Sequence, residues 1–186
     1  MDPVLSGKKI CILVASGFSE NVFSDIQKSL SGSGAILRTV APENGLVHGW
    51  LDNSWGHYFP VDSQLNEALG SDYDRLIIPG GMRAVEKLKT NLHTRRILRH
   101  FFDARKPIIA VEEAIELLTL AEDLNGLEVS APAPLVQAMK TAGAIISDQN
   151  ATIDEHLLTF SHLDAGWVDT IIQHLAEETE MQRAAA

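Results

Sequence analysis

The junction Val111-Glu112-Glu113 carries the most chemistry in this sequence. The apolar run Pro107-Ile108-Ile109-Ala110-Val111 reads as a buried strand, and Glu113 to Ala121 reads as a helix, with no loop residues between them. Residue 112 must then turn the chain sharply and hold its side chain above the sheet, which is the elbow geometry that presents a nucleophile. Here the presented group is a carboxylate. At a helix start, unpaired N–H groups and the dipole lower a carboxyl pKa, whereas burial without a cation raises it, and the sequence leaves that balance open. Glu112, with Glu113 and Glu20 as further candidates, could serve as a general acid or base. The plainer alternative is that Glu112, Glu113 and Glu116 decorate a helix N-terminus, where acids are common.

A second feature is Pro79-Gly80-Gly81 at the end of another apolar run. Its backbone N–H groups could cradle an anion or oxyanion, so Gly80, Gly81 and Glu112 together form a candidate ligand-binding set. Glycine pairs also make ordinary turns. Other chemistries lack their patterns. The seven histidines show neither H-x-x-x-H nor H-E-x-x-H spacing, so no metal site and no cofactor are expected. G-x-S-x-G and the phosphate-binding G-x-x-x-x-G-K-[ST] do not occur, and the one Gly-x-Gly, Gly32-Ser33-Gly34, follows a helix rather than a strand. Cys11 lies within an apolar strand, where a thiol is inert packing.

Composition narrows the classes further. The 186 residues suit one domain, and 45% hydrophobic with 22% charged residues is a globular balance. A net charge of −10 repels phosphate backbones and anionic lipid, so neither nucleic acid nor membrane is an expected partner. A single cysteine excludes an internal disulfide, and the opening residues run from acid to base, the reverse of a secretion signal. A cytoplasmic location is therefore expected.

The positioning elements alternate. Ile10 to Val14 reads as a strand; a helix capped near Ser19 carries Val22, Phe23, Ile26 and Leu30; Ala35 to Val40 is a second strand. The turn Pro42-Glu43-Asn44-Gly45 opens a hairpin-like excursion over Leu46–Leu51 and Tyr58–Val61. Asp74–Pro79 is a strand, and Leu92–Ala104 a helix whose apolar side includes Leu92, Ile97, Phe101 and Phe102. Short strands near 127–129, 144–146 and 157–160, a helix over 134–142 and a last helix carrying Trp167, Ile171 and Leu175 complete the chain. This order gives an α/β fold: a single three-layer αβα domain over 1–186, with a mainly parallel sheet and a core of about 8–175. Segments 1–7 and 177–186 are expected to be flexible tails. Ligands in such folds sit at the carboxyl ends of the strands, above which lie the loops near 15–20, 79–82 and 111–114.

Several segments, in order, resemble the ThiJ/PfpI superfamily, a resemblance that implies a flavodoxin-like fold related to class I glutamine amidotransferases. They are Lys8-Lys9-Ile10-Cys11-Ile12-Leu13-Val14-Ala15-Ser16-Gly17-Phe18, Tyr73-Asp74-Arg75-Leu76-Ile77-Ile78-Pro79-Gly80-Gly81 and Lys106-Pro107-Ile108-Ile109-Ala110-Val111, followed by Leu124-Asn125-Gly126 and Ala142-Gly143-Ala144. The resemblance implies a cysteine at the elbow followed by His and Gly, and a glutamate on the first helix that bonds the thiol. Here the elbow reads Glu112-Glu113-Ala114, and the glutamate position reads Val22 with Glu20 two residues earlier. Cysteine-dependent peptidase, deglycase, glyoxalase or amidase activity is therefore not expected, because a carboxylate attacks carbonyls poorly. In this the chain is similar to branches with the fold but no thiol, such as the C-terminal domain of large-subunit catalases.

The resemblance implies a homodimer or higher homo-oligomer. Trp50, Trp55, Tyr58 and Phe59, four aromatics in the excursion, are the candidate interface, unless they fold back as a satellite cluster over the sheet edge. The expected function is a degenerate, non-catalytic member acting through binding or assembly, with a stress-related role. An enzyme using Glu112 as acid or base on a small carbonyl or hydroxy substrate, and a sensor of a small metabolite, are the alternatives.

Overall fold

The computed structural model describes residues 4–121 and 124–185. In chain order it contains β1 (Lys9–Leu13), β2 (Phe18–Ser19), α1 (Glu20–Leu30), β3 (Ile36–Ala41), β4 (Leu46–Leu51), β5 (Ser54–Pro60), β6 (Ser63–Gln64) and β7 (Arg75–Ile78). There follow α2 (Met82–Lys89), α3 (Leu92–Asp103), β8 (Ile108–Val111), a 3-10 helix over Glu112–Ala121, β9 (Glu128–Val129), α4 (Val136–Thr141), β10 (Ile145–Ile146), β11 (Ala151–Asp154), β12 (Leu157–Phe160) and α5 (Trp167–Ala184).

The main sheet has strand order β11-β12-β8-β7-β1-β3-β6. Its pairs are parallel except β11 with β12. Its centre explains itself. Ile10, Ile12, Leu76, Ile77, Ile108 and Ile109 are all buried, as continuous apolar runs must be when helices cover both faces. Each such side chain contributes roughly 1.5–3 kcal/mol through burial. The order reverses beside β1, with β3 on one side and β7 on the other, so the ligand crevice of this topology opens above β1 and β7. The ends of β7 and β8 both face that edge.

The expected α/β architecture with a mostly parallel sheet is what forms, in one domain. Several details differ. The residues after Gly81 are helical as α2, driven by Ala84, Val85 and Leu88, which are buried at helical spacing. Leu92 is 82% exposed rather than on the apolar side of α3, because Asn91 caps the helix by accepting from the His93 N–H and the buried stripe starts at Thr94. The strand expected at 144–146 pairs with β9 in a separate two-stranded ribbon, and β11 joins the main sheet as an antiparallel edge.

Both ends make contacts with the core. Leu5 is buried and its N–H donates to the Ser33 carbonyl at 3.1 Å, which ties residues 4–7 to the turn after α1. Residues 1–3 and 186 lie outside the described residues. At the other end α5 runs through Glu177 to Ala184. Arg75, buried at the start of β7, bonds to this end. Its Nη2 donates to Thr179 Oγ1 at 3.1 Å and its Nη1 to the Asp74 carbonyl at 3.0 Å. A guanidinium inside the fold must find acceptors, and the last turns of α5 supply one.

Candidate functional site

The elbow is real. Glu112 has φ 50°, a left-handed conformation that costs a non-glycine residue on the order of 1 kcal/mol, and it stands where β8 passes into the 3-10 helix. Its side chain is half-buried. Burial pushes the Glu112 carboxyl above the usual range, the charge of Glu113 adds to this, and His162 opposes it. The balance left open by the sequence is thus decided by desolvation and like charge, and the helix start does not outweigh them. His162, just past the end of β12, was not singled out by its sequence spacing. Its place beside the elbow follows from β12 being the strand next to β8.

Glu113 turns back over the glycine pair. Its Oε2 accepts from the Gly81 N–H at 3.3 Å. Gly80 and Gly81 have φ 87° and 97°. A Cβ on Gly80 would lie 2.6 Å from the Val111 carbonyl, and one on Gly81 would lie 2.6 Å from the Ser19 nitrogen and 2.7 Å from the Gly17 carbonyl. The pair is therefore dictated by close backbone approach as well as by φ. The structure brings Glu113 and Gly81 together as the sequence suggested, but the Gly81 N–H, one candidate oxyanion donor, already faces a carboxylate. An anionic intermediate there would meet like charge.

Glu20 has different company. It is buried beneath the β4–β5 hairpin, where Oε1 lies 2.5 Å from His57 Nδ1 and Oε2 accepts from the His57 N–H at 2.8 Å. Burial alone would raise this carboxyl, but the His57 ring and backbone hydrogen bonds outweigh it and hold it below the ordinary value. Glu20 is thus committed to the hairpin and not to a partnership with Glu112. Val22 is buried in the core, and Cys11 lies fully buried in the middle of β1, where desolvation pushes its thiol far upward. Neither supplies thiol chemistry to the elbow.

The four excursion aromatics divide. Phe59 turns inward, its ring edge-on to Phe18 and Phe23 with centroids 5.6 and 5.0 Å away, so it belongs to the core rather than to an interface. Trp55 and Tyr58 are 50% and 63% exposed and each stacks on His48, with ring centroids 4.7 and 4.0 Å away. Trp50 meets Trp55 edge-on and carries the Arg83 guanidinium 3.6 Å above its ring. Among the described residues, no group of three His, Cys, Asp or Glu side chains could hold a metal ion, and no helix is long and apolar enough to cross a membrane.

If the elbow is kept for its side chain rather than for stability, Glu112→Gly should raise thermal stability. Removing the φ 50° strain and one of two adjacent carboxylates is worth about 1 kcal/mol, readable as an increase of a few degrees in Tm.

A half-open βαβ sheet with a positive-φ residue between β8 and a helix, facing a glycine pair at the end of β7, defines a nucleophile-elbow protein of the flavodoxin-like class. The chain belongs to the DJ-1/PfpI family, which matches residues 8–168. Among curated relatives it is 25% identical over 155 residues to protein/nucleic acid deglycase 2 of Escherichia coli, covering 83% of this chain and 88% of that one. It is likewise 25% identical over 156 residues to general stress protein 18 of Bacillus subtilis, with 83% and 88% covered. Among solved structures, a two-domain protein of Anabaena variabilis with DJ-1/ThiJ/PfpI-like and ferritin-like domains superposes with TM-score 0.75 at 25% identity. That match covers 82% of this chain and 43% of the other, so this chain spans less than half of the two-domain protein.

Proposed function

We propose that this chain is a DJ-1/PfpI member that has given up thiol chemistry and acts through binding or assembly, in a stress-related role. The observation that carries the reading is the identity of the elbow residue: at φ 50° above the sheet stands the carboxylate of Glu112, with Glu113 beside it on the Gly81 N–H. A carboxylate is a weak nucleophile toward carbonyls, and the two acids oppose the negative charge that an acyl-transfer intermediate develops. The stress-related part draws support from the likeness to general stress protein 18. The purified chain is expected to show only background turnover of methylglyoxal, glycated amines and amide substrates. Turnover typical of thiol-bearing relatives would overturn the reading.

One observation favours a second reading. The Glu112 carboxylate makes no hydrogen bond or ion pair among the described residues, and burial and the Glu113 charge push its pKa upward, the direction that suits a general acid or base. Under that reading a small carbonyl or hydroxy substrate is turned over and Glu112→Gln abolishes the activity. Turnover that survives Glu112→Gln removes it.

Assembly has its own surface. The exposed rings of Trp55 and Tyr58, with Trp50 beneath Arg83, are the proposed contact between copies of the chain. The double variant Trp50→Ala/Trp55→Ala is expected to lower the mass seen by light scattering. An unchanged mass takes the hairpin out of the interface.

A further inference from the structure

Next to the elbow, α2, the 3-10 helix and the turn at 133–135 enclose a cavity of about 290 Å³. Its walls are of two kinds. Met82, Val85, Pro132 and Leu135 supply apolar surface, while Glu86, Glu113 and Glu116 supply carboxylates. A single ammonium serves two of these acids: Lys89 Nζ donates to Glu116 Oε1 at 2.7 Å and to Glu86 Oε1 at 3.3 Å. Glu113 receives only the long bond from the Gly81 N–H and forms no ion pair among the described residues. The cavity therefore joins an apolar wall to an under-neutralised anion.

We propose that this cavity binds a compact organic cation, with an ammonium group on Glu113 and an apolar body against Met82, Val85 and Leu135. Three arguments select that class. An anion would approach three carboxylates with only Lys89 to offset them. A neutral apolar molecule would strip water from Glu113 and return no counter-charge, which is costly. A cation carrying an apolar body satisfies both walls, and Lys89 on Glu116 already shows the contact that these acids make with an ammonium. Met82, exposed at the mouth and unbranched, can adjust to the shape of the body. The inference deepens the binding reading above and rests on it, since it names what the elbow region would take up.

The test is a titration of the full chain with three probes of similar shape: 2-phenylethylammonium, 2-phenylethanol and 3-phenylpropionate. Methyl resonances of Met82, Val85 and Leu135 report on the site. The ammonium probe is expected to saturate with a Kd in the millimolar range or below, at least about tenfold tighter than the alcohol and the carboxylate. Glu113→Gln, whose amide oxygen can still accept from Gly81, is expected to weaken the ammonium probe about tenfold and leave the alcohol unchanged. Met82→Lys, at an exposed position that tolerates the change, is expected to block the ammonium probe by placing a tethered cation on the same acid. Absence of saturation, equal binding of the alcohol or carboxylate, or indifference to both substitutions would each overturn the inference. Turnover by a thiol-type assay would sink the reading it rests on and leave these affinities as measured.

Discussion

Gly81→Ala is expected to lower the unfolding free energy by more than about 3 kcal/mol. The residue has φ 97°, and its missing Cβ would fall 2.6 Å from the Ser19 nitrogen, 2.7 Å from the Gly17 carbonyl and 2.9 Å from the Phe18 carbonyl carbon. All three obstacles are backbone, so no side chain can swing aside. Relief would require separating the β7–α2 turn from the segment that enters α1, and with it the hydrogen bond from the Ser19 N–H to the Gly80 carbonyl at 3.1 Å. Gly7→Ala makes the control: its φ is 74°, but nothing lies within 4 Å of the added carbon. That variant should lose only about 1 kcal/mol, the cost of the conformation itself. Urea unfolding of the two variants beside the parent checks the pair, and equal losses would show that strain and not contact governs Gly81.

How far such a site is legible in sequence depends on the range of the forces that make it. The strands at the centre of the sheet are visible because their apolar runs are continuous and local: Ile10–Leu13, Leu76–Ile78 and Ile108–Val111 are buried on both faces. The elbow is visible for the same reason, since a strand passing straight into a helix at Val111 leaves one residue to turn. The sequence motif at Gly80-Gly81 and the acids at 112–113 are brought together by two neighbouring parallel strands, a pairing that the alternating element order already implies. Tertiary partnerships are another matter. Glu20 lies two positions from Val22, where the resemblance places a glutamate, yet its carboxylate binds a histidine 37 residues away. Nothing in the spacing of Glu20 and His57 announces that pair. Arg75 likewise sits in a strand that reads as buried, and only the return of α5 provides the Thr179 hydroxyl that it needs. The helix α2 hid behind a different cause: the glycine pair reads as a turn, and the three buried residues that follow are interleaved with Arg83, Glu86, Lys87 and Lys89. Charge density on one face masked periodicity on the other.

Glu20→Ala is expected to cost about 3 kcal/mol at neutral pH, through the loss of two hydrogen bonds to a buried carboxylate and the void that it leaves. The environment shows how closely the hairpin is built around this group. A Cβ on Gly49 or Gly56 would collide with the Glu20 carboxylate, so two glycines, one on β4 and one on β5, exist to admit it. The same contact makes stability pH-dependent in a defined sense. The folded carboxyl is held below the ordinary value of about 4.3 by the His57 ring and backbone N–H. A depressed folded pKa contributes stability that is present above the unfolded value and lost as pH falls through the folded one. Unfolding profiles measured between neutral pH and the acid side of that range should therefore fall more steeply for the parent than for Glu20→Gln, whose amide keeps an acceptor but no titration. Hydrogen exchange should locate the loss in β4 and β5, because His57 joins the hairpin to α1 through this one side chain. If the acid limb of Glu20→Gln is as steep as that of the parent, the carboxylates that govern acid unfolding lie elsewhere, and the hairpin is held by the packing of Phe59 on Phe18 and Phe23 instead.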